Sequence, residues 1–234
     1  MRTAGGLMAG AALLGTLGGA CTPRSGPEVV PRMIGHYENV GRLHTEAAAG
    51  RLRGVHTVAS ELLARESGEG LPDHLASHVD ELRTYAALAA RAPDPTSAAS
   101  AVARVAAACG SCHKSTKRGP TYEVRSGPPG ADNALATRMV RHTWAADRLW
   151  DGLVGPSDES WRAGASVLRD APLFTDALTQ DVAQYEPVTK LAWTVHELGA
   201  RANSARDQSV RAALYGELLG TCASCHKLLG YARD

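Results

Sequence analysis

The sequence predicts an all-α protein built as two successive four-helix bundles. Alanine and leucine are abundant along the chain, and this composition favours helix. Sustained alternation of apolar and polar residues, which is typical of strands, is absent. A repeated pattern divides the 234 residues into two similar parts, and a 44% hydrophobic composition is enough for two cores.

The repeat is visible in two places in each part. The pentapeptide RMIGH, which starts at Arg32, recurs as RMVRH at Arg138, 106 residues later. Two cysteine motifs, which start at Cys109 and Cys222, are 113 residues apart, and an aspartate stands 15 residues before each of them. Small insertions account for the different offsets. The pattern indicates a tandem duplication.

Each part is expected to contain four helices, because glycine and proline interrupt the sequence at helix-length intervals. In the first part the predicted helices cover 28–49, 51–66, 73–91 and 96–117. In the second part the predicted breaks fall at 155–157, near 171–172 and at 203–207. The connection from Arg118 to Asp132 is rich in Gly and Pro, so it cannot continue a helix and marks a domain boundary. The predicted domains are therefore 28–118 and 132–234, joined by a linker at 119–131.

The N-terminus predicts export. Residues 1–21 combine a basic start with an apolar, Gly-rich stretch, which is typical of a signal peptide. Cys21 follows a sequence that resembles the lipobox of bacterial lipoproteins, although Gly18 stands where an aliphatic residue is preferred. We expect a protein that is periplasmic or anchored to the membrane by a lipid on Cys21. The alternative is ordinary signal cleavage, which would leave Cys21 as a free thiol.

The charges are nearly balanced. There are 25 basic and 24 acidic residues, which give a formal net charge of +1. This balance argues against a nucleic-acid partner and against a strongly polybasic protein of the membrane surface. Charge alone names no partner.

Both cysteine motifs have the CxxCH pattern by which c-type haem is attached. On a helix, cysteines at i and i+3 share one face, where their thiols can add to the two haem vinyl groups, and the adjacent histidine becomes an axial ligand of the iron. Zinc-ribbon sites place their second cysteine pair much closer, and a redox CxxC belongs beside a βαβ pattern. The residues are Cys109, Cys112 and His113 in motif 1, and Cys222, Cys225 and His226 in motif 2.

The position of each motif near the end of a four-helix unit resembles the class II c-type cytochromes, the group of cytochrome c prime and c556. The resemblance covers about two hundred residues as two successive units. It implies a haem packed inside each bundle, and therefore two covalently bound haem c groups.

The resemblance also implies where a sixth iron ligand would come from. In the low-spin relatives the ligand lies on the first helix of the bundle, and in the high-spin relatives the position is open. Met33 and His36, and their counterparts Met139 and His142, stand i and i+3 in the predicted first helices. We expect His36 and His142 to be the ligands. The alternatives are Met33 and Met139, or an open site.

The expected function is that of a non-enzymatic dihaem cytochrome, which passes single electrons between redox protein partners. An open sixth site would instead make the chain a binding protein for a diatomic gas such as nitric oxide. A two-haem peroxidase is disfavoured because no distal acid and base constellation is evident. The remaining histidines are expected at the surface or in packing, and the four tryptophans in the core or against haem.

Overall fold

The computed structural model describes residues 29–65, 73–124, 127–130, 134–170, 173, 178–179 and 181–232. These residues form helices without any strand, which confirms the all-α prediction. The expected signal peptide and Cys21 lie outside the described residues.

Eight α-helices account for most of the described chain. Their boundaries follow the predicted breaks within about three residues, with two exceptions. The third helix is preceded by a separate 3₁₀ turn at Asp73–Leu75, and the helix Val182–Ser204 begins ten residues after the predicted break near 171–172. None of these helices is long and apolar enough to span a bilayer. They are α1 (Val29–Ala48), α2 (Leu52–Arg65), α3 (Ala76–Ala90), α4 (Pro95–Thr116), α5 (Leu135–Val154), α6 (Asp158–Asp170), α7 (Val182–Ser204) and α8 (Gln208–Leu228).

The repeated aspartates are N-caps, and they set where the two motif-bearing helices begin. Asp94 accepts a hydrogen bond from the main-chain N–H of Ser97 at 2.9 Å. Asp207 accepts from Ser209 at 2.9 Å and from Val210 at 3.1 Å. Such caps satisfy N–H groups that a helix leaves without partners. Because each cap stands 15 residues before its cysteine motif, both motifs lie in the last two turns of their helices.

Helices that follow one another along the chain pack together within each half. We call α1–α4 the first half and α5–α8 the second half. In the second half Gly164 lets α6 approach Leu149 and the carbonyl of Ala145 on α5. Trp161 is fully buried, and its indole N–H donates to the carbonyl of Ala202 at 2.7 Å. Small residues at the contacts therefore bring the helices close around a few large side chains.

The most extensive helix pair joins the two halves. Helices α4 and α8 pack antiparallel, since Gly216 faces Ser100 while Gly220 faces Thr96. A Cβ placed on Gly216 would lie 3.0 Å from the Cα of Ser100. Glycine on α8 and the alanine-rich surface of α4 permit this close approach. The two halves thus share one continuous hydrophobic core.

Counterparts in the repeat meet each other where the halves join. Ala103 and Gly216, 113 residues apart, face each other in the α4/α8 pair. His44 of α1 and Trp150 of α5, 106 residues apart, stack with ring centroids 4.7 Å apart and planes inclined by 19°. Contacts between equivalent residues indicate an approximate two-fold axis through this region.

A polar contact is buried beside that axis. The hydroxyl of Tyr215, on α8, donates to the carbonyl of Ala146 at 3.0 Å and lies 2.6 Å from Nε2 of His44. Because the phenol has one proton, His44 must donate its Nε2–H to the Tyr215 oxygen. Burial lowers the pKa of His44 from 6.5 to about 4, so the ring is neutral at pH 7.

Candidate haem-attachment sites

The two cysteine motifs lie at opposite ends of the α4/α8 pair. His113 is ten residues beyond Ala103, and His226 is ten residues beyond Gly216. At 1.5 Å per helical residue, each histidine is about 15 Å from the centre, which separates the two by about 30 Å along the pair. The motifs therefore form two distinct sites, and their four thiols cannot share one zinc ion.

The motif cysteines are thiols. None of the four is in a disulfide, and each is partly accessible to solvent. Burial raises the pKa of Cys112 and Cys225, and it raises the pKa of Cys222 to about 12. A redox-active CxxC needs a thiol pKa lowered toward neutrality, so these environments do not favour such a role. Each motif therefore places two thiols at i and i+3 on one helix, and neither is in a disulfide.

Both motif histidines are held in one tautomer by a main-chain carbonyl. Nδ1 of His113 donates to the carbonyl of Val154 at 2.7 Å, and Nδ1 of His226 donates to the carbonyl of Ala48 at 2.9 Å. A carbonyl can only accept, so Nδ1 carries the proton in each ring. In the neutral ring this places the lone pair on Nε2, which is the tautomer that binds a metal through Nε2.

These two carbonyls belong to the opposite half of the chain. Ala48 is the last residue of α1 and Val154 is the last residue of α5, and the two are 106 residues apart, as the repeat predicts for counterparts. The last carbonyls of a helix have no intrahelical donor, so each histidine satisfies one of them. The carbonyl acceptors are main-chain atoms that sequence reasoning missed. The 106-residue offset shows that the two acceptors are counterparts, but no sequence signal marks them as acceptors.

Glycines allow the helix ends to reach the motifs. A Cβ on Gly50, which has φ of 73°, would lie 3.0 Å from the carbonyl oxygen of Ala223 inside motif 2. Gly110 inside motif 1 lies against the carbonyl of Leu153, which also accepts a hydrogen bond from Gln208 at 2.8 Å. Each junction is therefore too close for an additional side-chain carbon without displacement.

The Met-x-x-His pairs lie in the N-terminal parts of α1 and α5. His36 and His142 are each twelve residues before the carbonyl that holds the opposite motif, which is about 18 Å along a helix. His142 is buried, while Met33, His36 and Met139 are half-buried. Going back along α1 from Ala48 to His44, its partner on α8 changes from His226 to Tyr215, so α1 runs back toward motif 1. Going back along α5 from Leu153 to Ala146, its partner on α8 changes from Gln208 to Tyr215, so α5 runs back toward motif 2.

A ring contact supports this direction for α1. The rings of Tyr37 and Tyr122 lie 6.4 Å apart, and Tyr122 follows motif 1 in the chain. Tyr122 also lines an open depression of about 510 Å³ between this segment and α5. Arg148, on the α5 side of the depression, is 2.6 Å from the carboxylate of Asp151. The wall of the depression thus carries an ion pair, and Glu123 adds a second carboxylate to it.

The other predicted positions fall mainly in packing and local contacts. Nε2 of His56 contacts the carbonyl of Ala92 at 2.9 Å, and His78 contacts Ser115 at 3.1 Å. Trp150 and Trp161 are core residues, as expected. Trp193 is 63% exposed, so of its two predicted environments the core position is wrong. Its helix α7 packs on α6 and α8 and covers the outside of the second half.

No group of three or more His, Cys, Asp or Glu side chains able to hold a metal ion occurs among the described residues. Haem iron takes at most two axial ligands from the protein, so haem attachment does not require such a group. Comparisons of the chain with protein-family models, curated proteins and solved structures gave no match.

Proposed function

We propose that this chain is a dihaem c-type cytochrome, with one haem c bound covalently at each motif, that carries single electrons between redox protein partners. The observation that carries the proposal is the state of the two motif histidines. Each donates Nδ1–H to a helix-end carbonyl and presents Nε2 for coordination. Two partly accessible thiols stand beside each ring.

The donor set fits haem c. Thiols at i and i+3 on α4 and α8 would form the two thioether bonds, and His113 and His226 would be the proximal ligands. When bound, haem supplies reversible one-electron chemistry, and the protein tunes its potential through ligation and burial.

The fold supports the resemblance to tandem class II cytochromes. In the part of the chain that the structure describes, each half has four α-helices, its motif lies at the end of the last of them, and its Met-x-x-His pair lies on the first. Because α1 and α5 run toward the motifs of their own halves, His36 would ligate the iron at motif 1 and His142 the iron at motif 2. The tandem-bundle assignment is part of this proposal.

The separation of the sites suggests how the protein is used. Motifs about 30 Å apart, at opposite ends of the α4/α8 pair, would let each haem meet a partner on its own side of the molecule. We propose that it acts in the periplasm or at the outer face of the cytoplasmic membrane, where Cys21 would carry a lipid anchor. We assign it no enzymatic reaction.

Visible absorption and electron paramagnetic resonance spectra of the purified haem-loaded protein test the ligand assignment. His36→Ala should convert only the haem at motif 1 to high spin, and His142→Ala only the haem at motif 2. His74→Ala is the control, because His74 is an exposed histidine on the 3₁₀ turn before α3 and does not belong to either Met-x-x-His pair. Low-spin haems unaffected by both substitutions would contradict the histidine assignment. Wild-type ferrous haems that bind carbon monoxide freely would favour the gas-binding alternative.

A further inference from the structure

From the crossed hydrogen bonds we infer that each half of the chain orients the proximal ligand of the other half's haem. The carbonyl of Ala48 in the first half holds His226, and the carbonyl of Val154 in the second half holds His113. This inference rests on the proposed function. It adds that the two haem sites are assembled reciprocally and are not two independent bundles joined by a linker.

The first support is that the crossing occurs twice. Ala48 and Val154 are counterparts by the 106-residue offset, and His226 and His113 by the 113-residue offset. The two distances, 2.9 and 2.7 Å, are those of well-formed hydrogen bonds. A single such contact could be incidental to packing. Its repetition at both equivalent positions makes it a property of the architecture.

The second support is the electrostatic character of the acceptors. Each carbonyl is at the C-terminal end of a 20-residue helix, where the helix dipole is negative. An acceptor there strengthens the hydrogen bond that Nδ1–H donates and makes Nε2 more basic toward iron. Stronger donation from the axial ligand favours the oxidised iron, so weakening the contact should raise the reduction potential of that haem.

The third support is that the neighbouring contacts keep the helix ends in place. Gly50 follows α1 and touches motif 2, while Gly155 follows α5 and touches the segment after motif 1. A Cβ on Gly155 would lie 2.5 Å from Cε2 of Tyr122 and 3.1 Å from the carbonyl of Pro120. An added methyl group at either glycine should move the helix end, and with it the carbonyl acceptor.

The test is potentiometric titration of the full-length haem-loaded protein with Gly50→Ala and Gly155→Ala. Gly50→Ala should raise the potential of the haem at motif 2 alone, although Gly50 belongs to the first half. Gly155→Ala should raise that of the haem at motif 1 alone. Gly41→Ala, on α1 with no atom within 4 Å of the added carbon, is the matched control and should shift neither.

A variant with serine at Cys109 and Cys112 should retain only the haem at motif 2. Its titration identifies which of the two redox transitions of the wild type belongs to that haem. If Gly50→Ala does not fold by circular dichroism, Gly50→Asn tolerates the positive φ and keeps the added contact. Loaded variants whose potentials stay unchanged, or shift within the substituted half instead of the opposite half, overturn the crossed orientation and leave the proposed function standing. Protein without covalent haem by mass spectrometry overturns both.

Discussion

The buried imidazole of His44 should make the stability of the protein depend on pH between about 6.5 and 4. His44 is 8% exposed, and its folded pKa is about 4 against 6.5 for a free histidine. The unfolded chain therefore takes up a proton that the folded chain refuses across this range. The contribution of the neutral His44 ring to the free energy of unfolding is therefore complete above pH 6.5 and is lost as the pH falls toward 4.

The magnitude follows from the separation of the two pKa values. A gap of roughly 2.5 units at about 1.4 kcal/mol per unit gives a loss of about 3 kcal/mol between pH 6.5 and 4. Asp151 acts in the opposite direction, since burial raises its pKa to about 6 and protonation then favours the folded state. The total stability is thus an unsuitable readout, and a difference against a variant is needed.

His44→Gln provides that difference because glutamine can still donate to Tyr215 but does not titrate. Urea unfolding of both haem-loaded proteins, followed by circular dichroism at several pH values, gives the two free energies of unfolding. The wild type should lose about 3 kcal/mol relative to the variant on going from pH 7 to 4. A difference that stays constant over this range would refute the neutral, buried state of His44.

Two further substitutions probe the helices that carry the motifs. Asp207→Ala removes the side chain that accepts hydrogen bonds from the main-chain N–H groups of Ser209 and Val210, so it should lower the midpoint of thermal unfolding. Asp207→Asn keeps an acceptor oxygen and should lower the midpoint much less. Gly216→Leu places a side chain against the Cα of Ser100 and should cost about 1–3 kcal/mol in urea unfolding. Gly41→Leu adds the same side chain in open space and should not destabilise the protein. Equal stabilities of the two leucine variants would contradict the close α4/α8 contact.

The helices could be predicted from the sequence because their ends have local causes. Proline at 95, glycine at 50 and the caps Asp94 and Asp207 fix where helices begin and stop, whatever their neighbours do. The candidate haem ligands could be identified in the same way, since CxxCH spacing on a helix is a local property. Tryptophan placement was less reliable. Trp193 stands on an outer helix, whose exposed side depends on tertiary packing.

The joining of the halves could not be predicted, for physical reasons. The buried surface of α4 is mostly alanine, which suits either a neighbour in the same half or a helix from the other. The acceptors at Ala48 and Val154 are main-chain carbonyls, and every residue carries one. Their selection depends on where α1 and α5 end relative to the opposite motif. The offsets of the repeat show that Ala48 and Val154 are equivalent residues, and that His226 and His113 are. They do not show that each carbonyl contacts the histidine of the opposite half.

Haem attachment at the two motifs is tested most directly by the intact mass of the protein exported by a bacterial host that attaches c-type haem. The mass should exceed that of the polypeptide by two haem groups. Serine at Cys109 and Cys112 should remove one of them, and serine at Cys222 and Cys225 should remove the other. A polypeptide with four unmodified motif cysteines, produced beside a control cytochrome that is loaded normally, would contradict haem attachment at these sites.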